Sequence, residues 1–254
     1  MDGDVPSPDP HSGTVRALIT GAGGFVGLHL QRHLEALGDE VIATDRATDG
    51  LDVLDAPALL ELFRRATPEV VYHLAGASDV GGSWSTPQAT FRANAEGTLN
   101  VLWAAREAGT ERVLTIGSAD VYGKVRAEDL PISEDLALRP VSPYAASKVA
   151  ADSVALQANL GFGQQVVRAR PFNHLGPGQT DRFVAPALAP ARWYTTSGAA
   201  RRNSSNRAGA SSTSSPSVAR SVAMTSSPCA SRWRCRCSPT NPPAPVTSAL
   251  TVPE

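Results

Sequence analysis

Long hydrophobic runs are absent from this sequence of 254 residues. No apolar segment approaches the roughly 20 residues that a helix needs to cross a bilayer, and no secretory h-region is recognisable. Cysteine is scarce as well. Cys229, Cys235 and Cys237 lie close together without the paired spacing or the neighbouring histidine of a metal site. We therefore expect a cytoplasmic protein with no membrane contact and no bound metal.

Lysine and large aliphatic side chains are nearly missing from the end of the chain. Residues 191–254 contain 8 Arg, 14 Ser and one acid, but no Lys, Ile or Phe and a single Leu. Such a segment cannot bury enough apolar surface to offset its chain entropy, and its composition argues against nucleic-acid binding. With assumed codons, a one-base shift would turn "RWRCRC" into an apolar run. We predict a frameshifted or disordered tail over 191–254, and a disordered leader over 1–14.

Between these ends, apolar segments alternate with segments of helical periodicity. The apolar segments show little polar alternation, which is typical of strands buried on both faces of a parallel sheet. This order predicts an α/β domain over 15–190, a doubly wound parallel sheet of the Rossmann type. The predicted strands are 15–20, 40–45, 69–76, 112–118 and 164–171, and the predicted helices are 25–38, 56–67, 88–109 and 142–161.

A glycine-rich turn joins the first predicted strand to the first predicted helix. In "ITGAGGFVG", Gly21 permits a tight turn, Gly24 lets the backbone approach a pyrophosphate, and Gly27 suits close packing of helix on strand. The N–H groups at the start of the helix would then face the phosphates. A plain tight turn is the competing interpretation, but the strand–turn–helix context favours dinucleotide binding.

Two charged residues follow the second predicted strand. Asp45 comes 24 residues after Gly21, close to the spacing of a carboxylate that binds the adenosine ribose. Arg46 could instead meet a 2′-phosphate, and both could be a solvated charge pair. Asp45 favours NAD, and Arg46 keeps NADP open.

Tyr144 and Lys148 lie one helical turn apart in "SPYAASKVAAD". A tyrosine is a poor acid–base group at neutral pH, but a nearby ammonium favours its phenolate and is expected to lower its pKa. Ser118, at the end of the fourth predicted strand, would bind the substrate oxygen at the edge where ligands bind in open α/β folds. A surface pair is the alternative when Y-x-x-x-K occurs alone.

Five segments carry a resemblance to a known family: "TGAGGFVG", "HLAG", "GSADVYG", "SPYAASK" and "RARPFNHLGPGQ". Together they resemble the extended short-chain dehydrogenase/reductase family of nucleotide-sugar epimerases, dehydratases and reductases. The resemblance covers about 15–189 and is greatest to members that reduce a 4-keto-6-deoxy sugar on GDP. Such members continue into a substrate domain, so the tail implies that this domain is incomplete here.

The resemblance also implies roles for individual residues. Ser118, Tyr144 and Lys148 would be catalytic, and Asp120 would occupy the place of an acid that dehydratases use to remove a ring proton. Asn94 would support the active site and bind substrate, together with Ser118 and Asn173. The implied cofactor contacts, beyond the glycines, are Phe25, Val26, Asp45, Arg46, Asp52, Val53, Leu74, Ala75, Gly76, Tyr144, Lys148 and Pro171.

Three functions remain open at this point. The first is reduction of a 4-keto-6-deoxy sugar on GDP by NADH or NADPH. The second is a GDP-mannose 4,6-dehydratase or a sugar-nucleotide 4-epimerase, because Asp120 does not decide between these reactions. The third is a truncated, inactive NAD-binding remnant. The resemblance further implies a homodimer formed through 88–109 and 142–161.

Overall fold

The computed structural model describes residues 13–174 and 176–179. The predicted tail and almost all of the predicted leader lie outside these residues, so both remain predictions. The described residues fall into two compact units, the first ending at Phe172 and the second beginning at Asn173. All the helices and strands reported below belong to the first unit.

Five parallel strands form one sheet with the order β2-β1-β3-β4-β5. All five predicted strands are confirmed. All five are shorter than predicted, three of them by two residues or more: the strand expected over 69–76 ends at His73, that over 112–118 ends at Ile116, and that over 164–171 ends at Ala169. The strands are β1 (Arg16–Thr20), β2 (Glu40–Thr44), β3 (Val70–His73), β4 (Arg112–Ile116) and β5 (Gln165–Ala169).

Helices cover both faces of the sheet, as expected for a Rossmann fold. Leu18 and Val71, from neighbouring strands, pack against α2, α4 and α5, whereas Ile19 points to the opposite face and packs near Leu34 of α1. Successive strand residues thus enter two different cores, because side chains alternate across a strand. The α-helices are α1 (Phe25–Ala36), α2 (Ala56–Ala66), α3 (Pro87–Phe91), α4 (Gly97–Glu107) and α5 (Pro143–Phe162).

The helix predicted over 88–109 is not a continuous α-helix. A π-helical turn, Arg92–Glu96, separates α3 from α4, and the Gly97 N–H bonds to the carbonyl of Arg92 five residues back. The wider turn places Asn94 inside the protein, with 1% of its surface exposed. Short π-helical segments occur often at functional sites.

No helix in the described part of the chain is both long and apolar enough to cross a membrane. Among residues 13–174 and 176–179 there is also no cluster of three side chains suited to hold a metal ion.

Candidate active site

The glycine turn lies between β1 and α1 and has room only for backbone. Gly21 adopts a left-handed φ of +73°, and a Cβ there would lie 2.5 Å from the backbone nitrogen of Ala75. A Cβ on Gly27 would lie 2.5 Å from the Gly21 carbonyl oxygen. The first turn of α1 begins at Phe25 and Val26 without a side-chain cap. Backbone N–H groups at an uncapped helix start can bind an anion such as a pyrophosphate.

The carboxylate of Asp45 lies directly beside this turn. A Cβ on Gly23 would lie 3.2 Å from Asp45 Cγ, and Asp45 Oδ1 accepts the Ala47 N–H at 2.8 Å. The Arg46 side chain is 80% exposed, and its guanidinium lies 3.6 Å from Asp52 Oδ2. Of the two charges that follow β2, the acid therefore faces the glycine turn, while the base pairs with Asp52.

Val53 reaches the π-helical turn rather than the glycine turn. A Cβ on Gly97 would lie 2.7 Å from Val53 Cγ2. The Val53 carbonyl accepts a hydrogen bond of 3.0 Å from Asn100 Nδ2. These contacts hold the segment after β2 against the start of α4.

The loop 74–76 lies between the glycine turn and the side chains of Asn94 and Lys148. Ala75 approaches Gly21, as described above. Beside Gly76, a Cβ would lie 2.5 Å from Asn94 Oδ1 and 3.6 Å from Lys148 Nζ. Because β3 ends early, this loop lies at the carboxyl edge of the sheet, where ligands bind in this fold class.

Ser118 lies just beyond the end of β4. Its hydroxyl caps a 3₁₀ turn, Ala119–Tyr122, by accepting the Asp120 N–H at 3.1 Å. The next residue, Ala119, donates its N–H to the Pro171 carbonyl at 2.9 Å. Ser118 and Pro171 are therefore held on adjacent chain segments at the same edge of the sheet.

Tyr144 and Lys148 project from the first turns of α5. Ser142 caps this helix by accepting the Ala145 N–H at 3.1 Å. The Tyr144 side chain lies near that of Ser118, which acts on the pKa of the phenol. Lys148 Nζ donates to the Ile116 carbonyl at 2.9 Å and lies 5.9 Å from the centre of the Tyr144 ring. The structure thus brings serine, tyrosine and lysine together from β4 and α5.

The expected lowering of the tyrosine pKa is not found. Burial raises the pKa of Tyr144, the hydrogen bond with Ser118 opposes this, and the negative charge of Asp120 adds to the rise. Burial also lowers the pKa of Lys148 to about 8, so Lys148 loses its positive charge at a lower pH than expected. Desolvation outweighs the favourable pairing on which the sequence argument relied.

The side-chain amide of Asn94 binds the backbone of Ala77. Its Oδ1 accepts the Ala77 N–H at 2.9 Å, and its Nδ2 donates to the Ala77 carbonyl at 3.1 Å and to Ser147 Oγ at 2.8 Å. These contacts suit a supporting role, while its contact with substrate stays a prediction. Asn173, the other proposed substrate contact, belongs to the second unit, and its role stays a prediction as well.

Sequence reasoning missed the buried Ser83 next to this site, and it placed His73 within the segment "HLAG" without its hydrogen-bond partners. Ser83 is 1% exposed and accepts the Tyr144 N–H at 3.2 Å. His73 is 3% exposed and lies between two threonine hydroxyls. A histidine at the end of an apolar strand was the available signal, but the pattern does not reveal its partners.

Comparison with known proteins agrees with this geometry. The model of the NAD dependent epimerase/dehydratase family matches residues 17–192. The GDP-6-deoxy-D-mannose reductase of Pseudomonas aeruginosa is 42% identical over 177 residues, which are 69% of this chain and 58% of that protein.

Two solved structures are similar as well. RMD from Pseudomonas aeruginosa, complexed with NADPH, has a TM-score of 0.61 at 42% identity over 67% of this chain and 57% of that one. The UDP-glucose 4-epimerase of Thermus thermophilus, in complex with NAD, has a TM-score of 0.63 at 31% identity over 67% and 59%. The chain therefore spans less than two thirds of each of these relatives.

Proposed function

Since this chain belongs to the NAD dependent epimerase/dehydratase family, we propose that it is a nucleotide-sugar oxidoreductase. In this proposal it reduces the 4-keto group of a 6-deoxy sugar carried on GDP and uses NADH or NADPH. The observation that carries the proposal is the proximity of the Tyr144 and Ser118 side chains at the carboxyl edge of the sheet, with Lys148 beside the tyrosine ring. The reductase of Pseudomonas aeruginosa, at 42% identity, supports the choice of substrate.

The residues around the glycine turn fit a dinucleotide. Any side chain at Gly21 would collide with the Ala75 backbone, so the cradle requires glycine. The uncapped start of α1 suits the pyrophosphate, and the Asp45 carboxylate beside the turn suits a ribose diol. Leu74, Ala75 and Gly76 would border the nicotinamide side, together with Pro171.

A bound nicotinamide supplies hydride to the carbonyl carbon of the sugar, and the protein supplies the proton. Tyr144 would donate its phenolic proton to the carbonyl oxygen as that oxygen becomes an alkoxide, while the Ser118 hydroxyl holds the oxygen in place. The raised pKa of Tyr144 suits this role, because a proton donor must remain protonated until the reaction begins. Lys148 would stabilise the phenolate that is left behind.

Asp120 supports a second candidate, a dehydratase or 4-epimerase. Its side chain is exposed, and its charge acts on Tyr144 from the loop after β4. A carboxylate there could take a proton from the sugar ring in a reaction that returns the hydride to the substrate. The third candidate is a remnant that binds cofactor without turnover.

One experiment separates the three candidates. The full chain is titrated with NADH and NADPH and is then mixed with a GDP-linked 4-keto-6-deoxy sugar, while cofactor absorbance and sugar products are followed. We expect one reduced cofactor to be consumed per sugar reduced. In a second mixture, with oxidised cofactor and a GDP-linked hexose that keeps its 6-hydroxyl, a changed sugar without net cofactor consumption would indicate the dehydratase or epimerase. Binding without any product would indicate the remnant.

Tyr144→Phe is the matched variant for this experiment, because it removes only the phenolic oxygen. We expect cofactor affinity within about twofold of the wild type and a loss of turnover of at least about 100-fold, as for removal of a general acid. Reduction of the keto sugar by the variant at the wild-type rate would contradict the assignment of Tyr144.

The same proposal includes a homodimer formed through α4 and α5. The charged residues of α5 are Lys148 and Asp152, and both are buried, so the exposed face of this helix carries no charge. Arg106 stacks on Trp103 and Phe162, with its guanidinium carbon 5.5 Å and 4.1 Å from the two ring centres. A second copy fits this face because an apolar, nearly uncharged surface is complementary to itself. Its exposed apolar members are Leu99, Trp103, Leu156, Leu160 and Phe162.

A further inference from the structure

His73, the last residue of β3, joins three elements below the candidate cofactor site. Its Nδ1 lies 2.8 Å from the hydroxyl of Thr20 at the end of β1. Its Nε2 lies 3.1 Å from the hydroxyl of Thr98 in α4. The ring is 3% exposed, and both threonines are buried. Neither nitrogen of the imidazole therefore depends on water for its hydrogen bond.

The direction of these hydrogen bonds follows from Thr98. Its hydroxyl donates to the Asn94 carbonyl oxygen at 2.6 Å. A hydroxyl carries one proton, and a carbonyl oxygen only accepts, so Thr98 Oγ1 has no further proton to offer the imidazole. It must accept from His73, which places a proton on Nε2.

The hydrogen-bonding role of Nδ1, on the other side of the ring, follows from the charge of the imidazole. Burial, with a smaller contribution from the positive charge of Lys148, lowers the pKa of His73 to about 3. The imidazole is therefore neutral at pH 7 and carries one N–H, so Nδ1 is an acceptor. Thr20 donates its hydroxyl proton to Nδ1, and Thr20 Oγ1 is left to accept the Ala75 N–H, 3.4 Å away.

These hydrogen bonds form a continuous series in which every donor-to-acceptor direction is the same. The series runs from the Ala75 N–H through Thr20, His73 and Thr98 to the Asn94 carbonyl. Ala75 approaches Gly21 of the glycine turn. At the other end, Asn94 holds Ala77 and Ser147, and Ser147 donates to the Tyr144 carbonyl at 2.6 Å. This series of hydrogen bonds thus runs between the two sides of the candidate site.

We propose that His73, as the neutral Nε2–H tautomer, is a positioning residue that sets the distance between the loop 74–76 and the π-helical turn at Asn94. This inference rests on the proposed function, because the loop 74–76 is expected to border the nicotinamide. Misplacing reacting groups by about 1 Å can cost up to about 100-fold in rate. A buried residue that fixes the position of the loop 74–76 is therefore expected to affect both cofactor binding and turnover.

Thr98→Val tests the proposal, and Thr110→Val is its matched control. Both changes replace a buried threonine hydroxyl by a methyl group of the same shape. Thr110 Oγ1 has no hydrogen-bond partner in the described part of the chain, whereas the Thr98 hydroxyl has two. Thr98→Ser keeps the hydroxyl and should rescue the function. Thr20→Val interrupts the series of hydrogen bonds on the other side of the ring, and it replaces Thr98→Val in the test if that variant does not fold.

Two measurements are made on the full-length chain. Nitrogen-15 NMR of the His73 ring reports which nitrogen carries the proton, and titration with NADH and NADPH reports affinity. We expect a protonated Nε2 and a bare Nδ1 in the wild type at pH 7. In Thr98→Val the Nε2 resonance should shift, and the dissociation constant of the cofactor should rise about tenfold, as for one lost buried hydrogen bond. Thr98→Ser and Thr110→Val should stay within about twofold.

Three results would overturn the proposal. One is a wild-type ring that is charged or protonated on Nδ1. Another is cofactor affinity in Thr98→Val equal to that in Thr110→Val, even with a lower unfolding temperature, because a merely structural residue behaves in this way. The third is a wild-type protein that binds neither cofactor. That result also contradicts the proposed function, and the NMR measurement tells the two failures apart, because the protonation of the His73 ring can be observed without any cofactor.

Discussion

Arg170 holds the carboxylate of Asp152 with two hydrogen bonds, 3.1 Å from Nε to Oδ1 and 2.8 Å from Nη2 to Oδ2. Arg168 donates to the same carboxylate at 2.7 Å. Arg170 also donates to the Tyr122 hydroxyl and to the Glu134 carbonyl, each at 3.0 Å. Hydrogen bonding to Asp152 raises the pKa of Arg170. This cluster joins α5, which carries Tyr144, to β5 and to the loop that begins at Ser118.

Asp152→Asn should therefore destabilise the fold strongly. The carboxylate is 3% exposed and serves two arginines, and removing one partner of a buried ion pair costs about 3 kcal/mol or more because the other charge stays buried. The unfolding free energy, measured by urea denaturation, should fall by that amount. Asp129→Asn is the control, since Asp129 makes the same two-pronged contact with Arg126, whose side chain is 59% exposed. Equal losses in the two variants would contradict the prediction.

Asp45→Asn should shift cofactor preference from NADH towards NADPH. The substitution keeps the shape of the side chain beside Gly23 but removes the charge that suits a ribose diol and repels a 2′-phosphate. We expect NADH affinity to fall about tenfold, the equivalent of one charge-assisted hydrogen bond, with NADPH affinity unchanged or higher. Titrations of both cofactors give the ratio.

Asp52→Asn is the companion variant for this measurement. It removes the carboxylate that pairs with Arg46 and leaves Asp45 in place. It should strengthen NADPH binding by releasing the guanidinium, and a loss of NADH affinity in this variant would reveal the cofactor contact of Asp52 that the resemblance implies. An unchanged ratio in Asp45→Asn would show that Asp45 does not contact the ribose.

Lys148 should make stability depend on pH in the alkaline range. Its pKa is about 8 in the folded protein and 10.5 ordinarily. Between these values the unfolded chain binds the proton and the native chain does not, so the unfolding free energy rises with pH, by up to about 3 kcal/mol. Below pH 8 both states are protonated, and this contribution is flat. The difference between wild type and Lys148→Met, from urea denaturation at pH 7 to 10, isolates it. A difference that is constant with pH would contradict the lowered pKa.

Leu160→Glu should separate the proposed dimer. Leu160 is 75% exposed on α5 and is one of the exposed apolar residues of the face described above. A carboxylate there would be buried against a second apolar copy, at a cost that a dimer of moderate affinity does not survive. Light scattering after size exclusion should give a dimer for the wild type and a monomer for the variant. Leu28→Glu, on α1, is the control, since Leu28 is 46% exposed and lies away from this face. A monomeric wild type would refute the dimer directly.

The order of strands and helices and the position of the glycine turn could be predicted from the sequence. Each depends on the local spacing of apolar residues and on backbone conformations that few residues other than glycine adopt. "VRALIT" lacks polar alternation because both faces of its strand are covered, whereas "EVIATD" belongs to the edge strand β2, in which only Thr44 is buried. The rule that carboxyl ends of parallel strands meet at one edge placed Ser118 at the ligand-binding edge, and the family resemblance implied its pairing with Tyr144.

Other features were decided by tertiary structure. The π-helical turn in the predicted helix 88–109 has no local sequence signal, and it follows the burial of Asn94 against Ala77. The direction of the Tyr144 pKa depends on how completely the ring is buried. The partners of His73 lie 53 and 25 positions away along the chain. Local pattern determines backbone conformation because its causes are neighbours in sequence, whereas desolvation and hydrogen-bond direction depend on groups that only folding brings together.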